Sequence, residues 1–319
     1  KMNVFVTGGT GFVGTAVLEQ LLKQDKISQV YLMYRSESTF NEEIKQLVKD
    51  PKVVLVKGDV LKAETMSLIS DCQVVLYLAC NSKWGTLDSP HTMELALTGT
   101  KNVLTHLKPN QRLIYVSSAA AMMFDDDFDQ NQCVEVQKEE FLYAKAKFET
   151  EQFIKKNVQN YLLFRPGEIY DINDYQLITS QNIMSYANEP NIIVNGGISL
   201  VCRQQVARAI VQGVFSEQKC KTYNLGGENV TIFEFSRLIQ KITGKGHVNF
   251  QLNYFFALAA IKLLGKVGVK LFELEAVKYG GLVWYMDSSE AAKDLGFQVQ
   301  TGEEVLSGVV KWLKEKGKI

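Results

Sequence analysis

The sequence predicts an α/β protein with a doubly wound parallel sheet of about seven strands and a smaller, mostly helical C-terminal part. Three observations support this prediction. A short apolar strand at residues 3–7 leads through a glycine turn into a helix. Four further strands alternate with helices up to residue 116, and two more strand patterns follow at residues 161–165 and 222–225. Such alternation is typical of parallel sheets with helices on both faces.

The first strand is followed by three regularly spaced glycines, Gly8, Gly11 and Gly14, and by a helical pattern that begins at Val13. Gly8 permits a sharp turn, Gly11 lets a pyrophosphate approach the backbone, and Gly14 lets the helix lie close to the strand. The N–H groups and the positive end of the helix dipole then face the phosphates. The pattern predicts a dinucleotide site, and the alternative is an ordinary strand–helix turn that holds no ligand.

The second predicted strand, residues 29–34, ends at Arg35, where a dinucleotide fold places the adenosine ribose. An acidic side chain there would accept a hydrogen bond from the ribose 2′-hydroxyl and repel a 2′-phosphate. No acid is present, and Arg35 can form charge-assisted hydrogen bonds with a phosphate. We therefore expect NADP(H) rather than NAD(H), although Arg35 can also be read as a solvated residue at a strand end.

The next predicted strands also end in groups that suit a dinucleotide. Asp59 follows the strand at residues 53–56 and can accept a hydrogen bond from an adenine amino group, or can simply stabilise a turn. The strand at residues 74–79 ends in small residues, past which a cofactor can run. The fifth strand, residues 112–116, is followed by Ser117-Ser118.

Acid–base groups are predicted in the helical segment at residues 141–149. Tyr143 and Lys147 stand four residues apart and therefore share one face of the helix. A lysine ammonium stabilises a nearby phenolate, so we expect it to lower the pKa of Tyr143. Such pairs also occur on surface helices, but Ser118 lies at the carboxyl end of a strand, where ligands of open α/β sheets bind.

Together these motifs resemble the extended short-chain dehydrogenase/reductase superfamily, which includes NAD-dependent epimerases and dehydratases. The sequence is most similar to the dihydroflavonol-reductase and hydroxysteroid-dehydrogenase-like branch. The matching segments occur in the order of the family at residues 7–14, 58–60, 77–80, 98–103, 116–118, 143–147, 164–170, 223–227, 287–289 and 295–297. The resemblance implies a Rossmann fold with a C-terminal substrate domain.

The resemblance also implies a role for each residue that matches a family motif. Ser118 is the catalytic serine, Tyr143 the proton donor, and Lys147 the residue that lowers the tyrosine pKa and holds the nicotinamide ribose. The residue patterns and the resemblance together predict contacts with the cofactor at Gly8, Thr10, Gly11, Phe12, Val13, Arg35, Asp59, Val60, Leu78, Ala79, Cys80, Tyr143, Lys147, Pro166 and Ile169.

The sequence departs from the family pattern at four places. Tyr77 replaces the usual histidine, Cys80 replaces the second alanine of the same motif, and residues 204–205 are glutamines in place of Val-Asp. Ala96 replaces an asparagine, which changes the expected proton relay and its active-site water. None of these departures removes a catalytic group.

The resemblance divides the chain into two domains. Residues 1–170, completed by about residues 200–227, form the dinucleotide-binding Rossmann domain, and residues 171–199 and 228–319 form the substrate-binding domain. We expect the acidic run at residues 125–129 to be a solvated loop, with a substrate-facing role as the alternative.

One apolar segment, residues 254–274, leaves a narrow polar stripe with Lys262, Lys266 and Lys270 on one helix face. We expect its apolar sides to pack against the sheet domain or a second subunit. The alternative is an exposed lid or membrane-surface contact, in which the lysines meet anionic headgroups.

Composition argues against several classes of function. Lys+Arg and Asp+Glu both number 35, so the net charge is zero and favours neither nucleic acid nor an anionic membrane. The five cysteines lack C-x-x-C spacing and only three histidines are present, which argues against a disulfide framework or a metal site. We find no signal-peptide pattern and no apolar run of transmembrane length, and we expect a cytoplasmic protein.

The expected function is reversible hydride transfer between NADP(H) and a carbonyl/alcohol pair, through a Ser-Tyr-Lys triad. Apolar residues near the triad, Trp84, Met122, Met123 and Phe124, favour an uncharged ketone or aldehyde. A nucleotide-sugar epimerase or dehydratase with tightly bound NAD(P) is the first alternative. A non-enzymatic nucleotide-sensing protein is the second, although it has no need of the triad. A homodimer is left open.

Overall fold

A computed structural model of the chain describes residues 1–125, 128, 138–188, 191–245, 249–266 and 274–319. The strands of the main sheet are β1 Met2–Thr7, β2 Ile27–Tyr34, β3 Val53–Lys57, β4 Val74–Tyr77, β5 Arg112–Val116, β6 Tyr161–Pro166 and β10 Lys221–Leu225. Their order is β10-β6-β5-β4-β1-β2-β3, and every pairing is parallel. The predicted fold class is confirmed, and each predicted strand lies within two residues of the observed bounds.

Helices connect these strands and continue through the rest of the chain. The helices are α1 Phe12–Leu22, α2 Glu42–Leu47, α3 Pro90–His106, α4 Leu142–Asn157, α5 Ser180–Asn188, α6 Arg203–Phe215, α7 Ile232–Thr243, α8 Tyr254–Lys266, α9 Leu274–Gly280, α10 Ser289–Leu295 and α11 Gly302–Glu315. Short 3-10 helices span Glu37–Thr39, Ala63–Asp71, Ala119–Phe124 and Lys138–Glu140.

The main sheet is covered on both faces. Val4 and Val6 of β1 lie in one apolar cluster with α1 and α6, whereas Phe5 lies in another with residues of α3 and α4. All three side chains are fully buried. Because alternate residues of each strand enter different cores, a buried parallel strand reads as a continuous apolar run. This burial explains why the strands could be recognised in the sequence.

The second half adds two small sheets that no sequence pattern predicted. A three-stranded sheet has the order β11-β9-β7 and a two-stranded sheet pairs β12 with β8. Their strands are β7 Glu168–Tyr170, β8 Asn191–Val194, β9 Gly197–Cys202, β11 Glu228–Thr231 and β12 Asn249–Leu252. Helices α5, α7 and α11 pack beside them in a third apolar cluster. Strands this short carry too little periodicity to be distinguished from loops.

Helix α8 covers the first part of the apolar segment at residues 254–274. Phe256 is 76% exposed and Leu263 65%, whereas Tyr254 is buried. Lys262 lies 3.4 Å from Glu140, and Lys270 lies outside the described residues. Within the described ranges, we find no helix with the length and apolar character needed to cross a membrane.

The expectation of a solvated acidic run is wrong for Asp125, which pairs with the buried Arg165. Arg165 lies in β6 and is buried, and a buried guanidinium requires carboxylate partners. Asp126, Asp127 and Asp129 lie outside the described residues.

Candidate active site

The parallel order brings the ends of the central strands to one edge of the sheet. Thr7 pairs with Tyr77, Tyr77 pairs with Tyr115, and Val116 pairs with Phe164. The predicted site residues at or just after the ends of the strands therefore share this edge; they are Gly8, Arg35, Asp59, Ala79, Ser118 and Pro166.

The glycine turn has the geometry expected of a phosphate cradle. Gly8 has φ +69°, and a Cβ there would lie 2.5 Å from the Ala79 nitrogen. A Cβ on Gly14 would collide with the Gly8 carbonyl oxygen, so α1 can approach the turn only because the residue is glycine. A Cβ added to Gly11 would lie 3.3 Å from the Gly8 oxygen, and beyond its chain neighbours no other described atom would lie within 4 Å. That open side of the turn fits the approach of a pyrophosphate.

The N-terminus of α1 is also suited to an anion. Gly11 precedes the helix, and no side chain caps its first turn, so the N–H groups of Phe12 and Val13 have no capping partner. The Phe12 ring is covered by the guanidinium of Arg203 at 4.9 Å from the centroid. Arg203 is ion-paired with Glu43 of α2. This arginine was not singled out by the sequence analysis.

The two residues predicted to contact the adenosine half differ in their surroundings. Arg35 is exposed at the end of β2, and we find no hydrogen bond or ion pair of its side chain among the described residues. Asp59 Oδ1 accepts a hydrogen bond from the Leu61 N–H at 3.0 Å, which is the turn-stabilising role. Its contact with adenine remains a prediction, as does that of the neighbouring Val60, which is buried.

The remaining predicted cofactor contacts lie along the same edge. The Leu78 N–H donates to the Thr7 carbonyl at 3.2 Å, which joins β4 to the glycine turn. Cys80 is exposed. Pro166 ends β6, and Ile169 is partly buried against the main core.

The structure brings the three predicted catalytic residues together. Lys147 is buried, and its Nζ donates to the Val116 carbonyl oxygen at 2.9 Å, directly before Ser117-Ser118. The same Nζ lies 5.7 Å from the centroid of the Tyr143 ring. Ser118 begins the 3-10 helix Ala119–Phe124, and its Oγ accepts from the Ala120 N–H at 3.2 Å. Helix α4 and the end of β5 thus place a hydroxyl, a phenol and an ammonium at one point.

The net pKa of Tyr143 differs from the expectation. Burial raises the pKa of the phenol above its ordinary value, while the Lys147 ammonium and the Ser118 hydroxyl act to lower it. The predicted effect of Lys147 is therefore present, but desolvation of the phenolate is larger. The phenol stays protonated at neutral pH, which is the form that donates a proton.

A small cavity of about 10 Å³, enough for about one water molecule, adjoins these groups. Its walls are formed by Ala79, Cys80, Asn81, Thr92, Ala96, Tyr115, Tyr143, Ala146 and Lys147. Ala96, where the family has asparagine, is therefore a cavity wall. Asn81 Nδ2 donates to Thr92 Oγ1 at 3.0 Å, so polar groups of other residues line the same space.

Tyr143 packs against an aromatic cluster that is centred on Tyr279. Tyr279 lies between Phe141 and Trp284, with ring centroids 5.0 and 5.9 Å away. Trp84 contacts the Tyr279 ring at 6.2 Å. Of the predicted apolar residues, Trp84, Met122 and Phe124 are partly buried in this cluster, whereas Met123 is wholly buried.

Three polar residues near Tyr143 were missed by the sequence analysis. Asp88 accepts hydrogen bonds from the Tyr143 N–H, the Lys278 ammonium and the Tyr279 hydroxyl. Lys278 and Tyr279 lie 190 and 191 residues away from it along the chain. No local pattern could have identified such a cluster.

Comparison with known proteins gives matches over most of the chain. Residues 5–180 match the model of the 3-beta hydroxysteroid dehydrogenase/isomerase family. A putative dihydroflavonol 4-reductase from Synechocystis sp. is 26% identical, covering 98% of this chain and 95% of its own.

Solved structures share the fold. DesIV, a dTDP-glucose 4,6-dehydratase from Streptomyces venezuelae with NAD and TYD bound, has a TM-score of 0.75 at 16% identity and covers 98% of this chain and 97% of its own. A UDP-glucose 4-epimerase from Thermotoga maritima, solved with UDP-glucose, has a TM-score of 0.69 at 17% identity and 99% coverage of both chains.

Proposed function

The chain belongs to the 3-beta hydroxysteroid dehydrogenase/isomerase family, and we propose that it catalyses reversible hydride transfer between NADP(H) and a carbonyl/alcohol pair. The carbonyl compound of this pair is an uncharged ketone or aldehyde. It is an NAD(P)-dependent enzyme of the extended short-chain dehydrogenase/reductase type. The observation that carries the finer proposal is the Lys147–Val116 hydrogen bond of 2.9 Å, which holds α4 against the end of β5, two residues before Ser118.

In the proposed mechanism the nicotinamide, when bound, supplies or accepts the hydride. The Tyr143 phenol gives its proton to the carbonyl oxygen as negative charge develops there. Ser118 donates a hydrogen bond to the same oxygen and thereby stabilises that charge. Lys147 keeps one N–H on the Val116 carbonyl, and its remaining N–H groups are available to the ribose hydroxyls. Its positive charge also stabilises the phenolate left after proton donation.

The glycine turn is proposed to hold the pyrophosphate, through the first N–H groups of α1 and the open side of Gly11. Arg35 is proposed to contact the 2′-phosphate at the end of β2. The aromatic cluster around Tyr279 supports an apolar substrate, because its partly buried members Trp84, Met122 and Phe124 have no charge that could pair with a sugar diphosphate.

A turnover screen tests the proposed activity directly. NADPH oxidation would be followed with ketones, aldehydes and nucleotide sugars, and retained nucleotide would be measured after purification. Catalytic oxidation of NADPH by a ketone or aldehyde is the expected result. Conversion of a nucleotide sugar with tightly retained NAD(P) and no net cofactor turnover would instead identify an epimerase.

Ser118→Ala is expected to lower kcat by about a hundredfold, the usual effect of removing one donor to a developing oxyanion. NADPH affinity should change little, because the hydroxyl is assigned to the substrate oxygen. Stopped-flow kinetics and a fluorescence titration of NADPH measure the two effects separately. Ser117→Ala is the matched control, since that neighbouring hydroxyl is buried without a described hydrogen-bond partner. Loss of cofactor binding in Ser118→Ala would contradict the assignment.

Arg35→Ala is expected to weaken NADPH binding by about 1.5–3 kcal/mol, the scale of a hydrogen bond to a charged group. NADH binding should stay nearly unchanged, because NADH has no 2′-phosphate. Titration calorimetry with both nucleotides makes NADH the internal control. Equal losses for both would remove Arg35 from the 2′-phosphate site. Tighter binding of NADH than NADPH by the unmodified protein would reverse the cofactor assignment.

A further inference from the structure

The helix that carries Tyr143 begins without a capping side chain from its own sequence. Phe141 precedes α4 and provides no side-chain cap. A carboxylate from 55 residues earlier takes this role: Asp88 Oδ1 accepts a hydrogen bond from the Tyr143 backbone N–H at 2.9 Å. This hydrogen bond therefore fixes the backbone of the proposed proton donor itself. A carboxylate at a helix N-terminus is also favoured by the helix dipole.

Helix α9 holds Asp88 in this position. Lys278 Nζ donates to Asp88 Oδ2 at 2.7 Å and to the Glu140 carbonyl oxygen at 2.6 Å. The Tyr279 hydroxyl donates to Asp88 Oδ1 at 2.8 Å. The side chains of Asp88 and Lys278 are each 8% exposed, so this ion pair is largely shielded from water. Both donors come from the C-terminal part of the chain.

The Tyr279 ring gives a second contact with the same turn. It packs edge-on against the Tyr143 ring, with centroids 6.4 Å apart, and its hydroxyl accepts from the Ala144 N–H at 3.4 Å. The Tyr143 N–H therefore donates to Asp88, which α9 holds, and the Ala144 N–H donates to Tyr279, which belongs to α9. These are N–H groups of the first turn, which a helix cannot satisfy internally.

A second carboxylate, that of Glu275 in α9, holds the loop that carries Asp88. Glu275 accepts hydrogen bonds from the backbone N–H groups of Gly85 at 2.5 Å, Leu87 at 3.3 Å and Asp88 at 2.9 Å. Each of these three contacts is with the loop and not with α4. The junction thus contains two carboxylates, of which Asp88 touches the Tyr143 backbone and Glu275 touches the loop.

Building on the proposed function, we propose that Asp88 is a positioning residue for Tyr143, and that docking of α9 through Lys278 and Tyr279 sets the position of the proton donor. When α9 is docked, Asp88 is fixed by two donors and orders the first turn of α4. When either donor is lost, that turn is held less firmly, and the phenol is misaligned with the carbonyl oxygen. Small displacements of this kind slow proton transfer without changing the chemistry of the donor.

The test uses the full chain with the double variant Asp88→Ala/Lys278→Met, because Asp88→Ala alone would leave the Lys278 charge buried and unpaired. Hydrogen–deuterium exchange of the unliganded protein is expected to be about tenfold faster at residues 143–145. We expect kcat to fall about tenfold or more, with the NADPH dissociation constant unchanged. The solvent deuterium isotope effect on kcat should rise, because proton donation becomes slower relative to the other steps.

Two further variants separate positioning from general stability. Asp88→Asn/Lys278→Met keeps an oxygen that can accept from the Tyr143 N–H, and should restore most of the exchange protection and of kcat. Glu275→Gln should speed exchange at residues 85–88 while leaving residues 143–145 and the isotope effect unchanged.

The proposal is overturned if exchange at residues 143–145 is unaltered in the double variant, or if the asparagine variant is no better than the alanine variant. The exchange measurement needs no turnover, so it distinguishes failure of this proposal from failure of the proposed hydride transfer.

Discussion

Tyr143→Phe is expected to fold, to bind NADP(H) and to lose about two orders of magnitude or more in kcat, the usual effect of removing a general acid. Phenylalanine keeps the ring that packs 6.4 Å from Tyr279 and lies near the Lys147 ammonium. It lacks the hydroxyl that is proposed to protonate the substrate oxygen. Steady-state kinetics at saturating NADPH, together with a titration of the nucleotide, measure the two properties.

Tyr115→Phe is the matched control for this prediction. Tyr115 lines the same cavity, and its hydroxyl is buried without a hydrogen-bond partner among the described residues. Phenylalanine keeps the ring that the Lys147 ammonium covers at 5.0 Å from the centroid. This control should retain kcat within about twofold. Near-normal turnover in Tyr143→Phe would mean that another group donates the proton.

Arg165→Met is expected to lower the free energy of unfolding by about 3–5 kcal/mol, the cost of leaving a buried charge without its partner. Arg165 Nη2 lies 2.5 Å from Oε2 of Glu151, whose side chain has no exposed surface, and the guanidinium also pairs with Asp125. Without the guanidinium, the nearest described ammonium to Glu151 is that of Lys155, at 4.0 Å. Urea unfolding followed by circular dichroism measures the loss.

Two variants show whether burial of the charge is the cause. Arg165→Met/Glu151→Met removes both buried charges and should recover most of the lost stability. Lys241→Gln breaks an exposed pair, with side chains 66% and 52% exposed, and should cost less than about 1 kcal/mol. If Arg165→Met is as mild as Lys241→Gln, the buried pair does not stabilise α4 against the sheet.

The main sheet could be predicted because its strands are buried on both faces and lie between local helix and turn signals. The predicted glycine turn lies between β1 and α1, and the predicted strands, including those at residues 161–165 and 222–225, all belong to the observed sheet. The family match confirms the resemblance inferred from those motifs. The small sheets could not be predicted, because strands such as Glu168–Tyr170 are defined by their partners rather than by periodicity.

In the candidate site too, some features could be predicted from local sequence and others depend on the tertiary fold. Tyr143 and Lys147 share a helix, and Ser118 follows a strand, so local sequence was enough to place them at one edge of the sheet. The net pKa shift of Tyr143 depends on burial by the whole structure, which spacing alone cannot give. Asp88 and Lys278 are 190 residues apart, and their pairing is created only by the tertiary fold.

The last strand of the main sheet, β10, pairs with β6 after a separation that includes β7, α5, β8, β9 and α6. During synthesis, a nascent chain that has passed residue 166 but has not reached residue 221 has six of these strands and an open edge at β6. Open edges of this kind pair readily with other chains. Residues 167–220 must therefore be synthesised before β10 can pair with β6 and complete the seven-stranded sheet. The edge of β6 therefore stays unpaired during synthesis until residue 221 is reached, although six of the seven strands lie before residue 167.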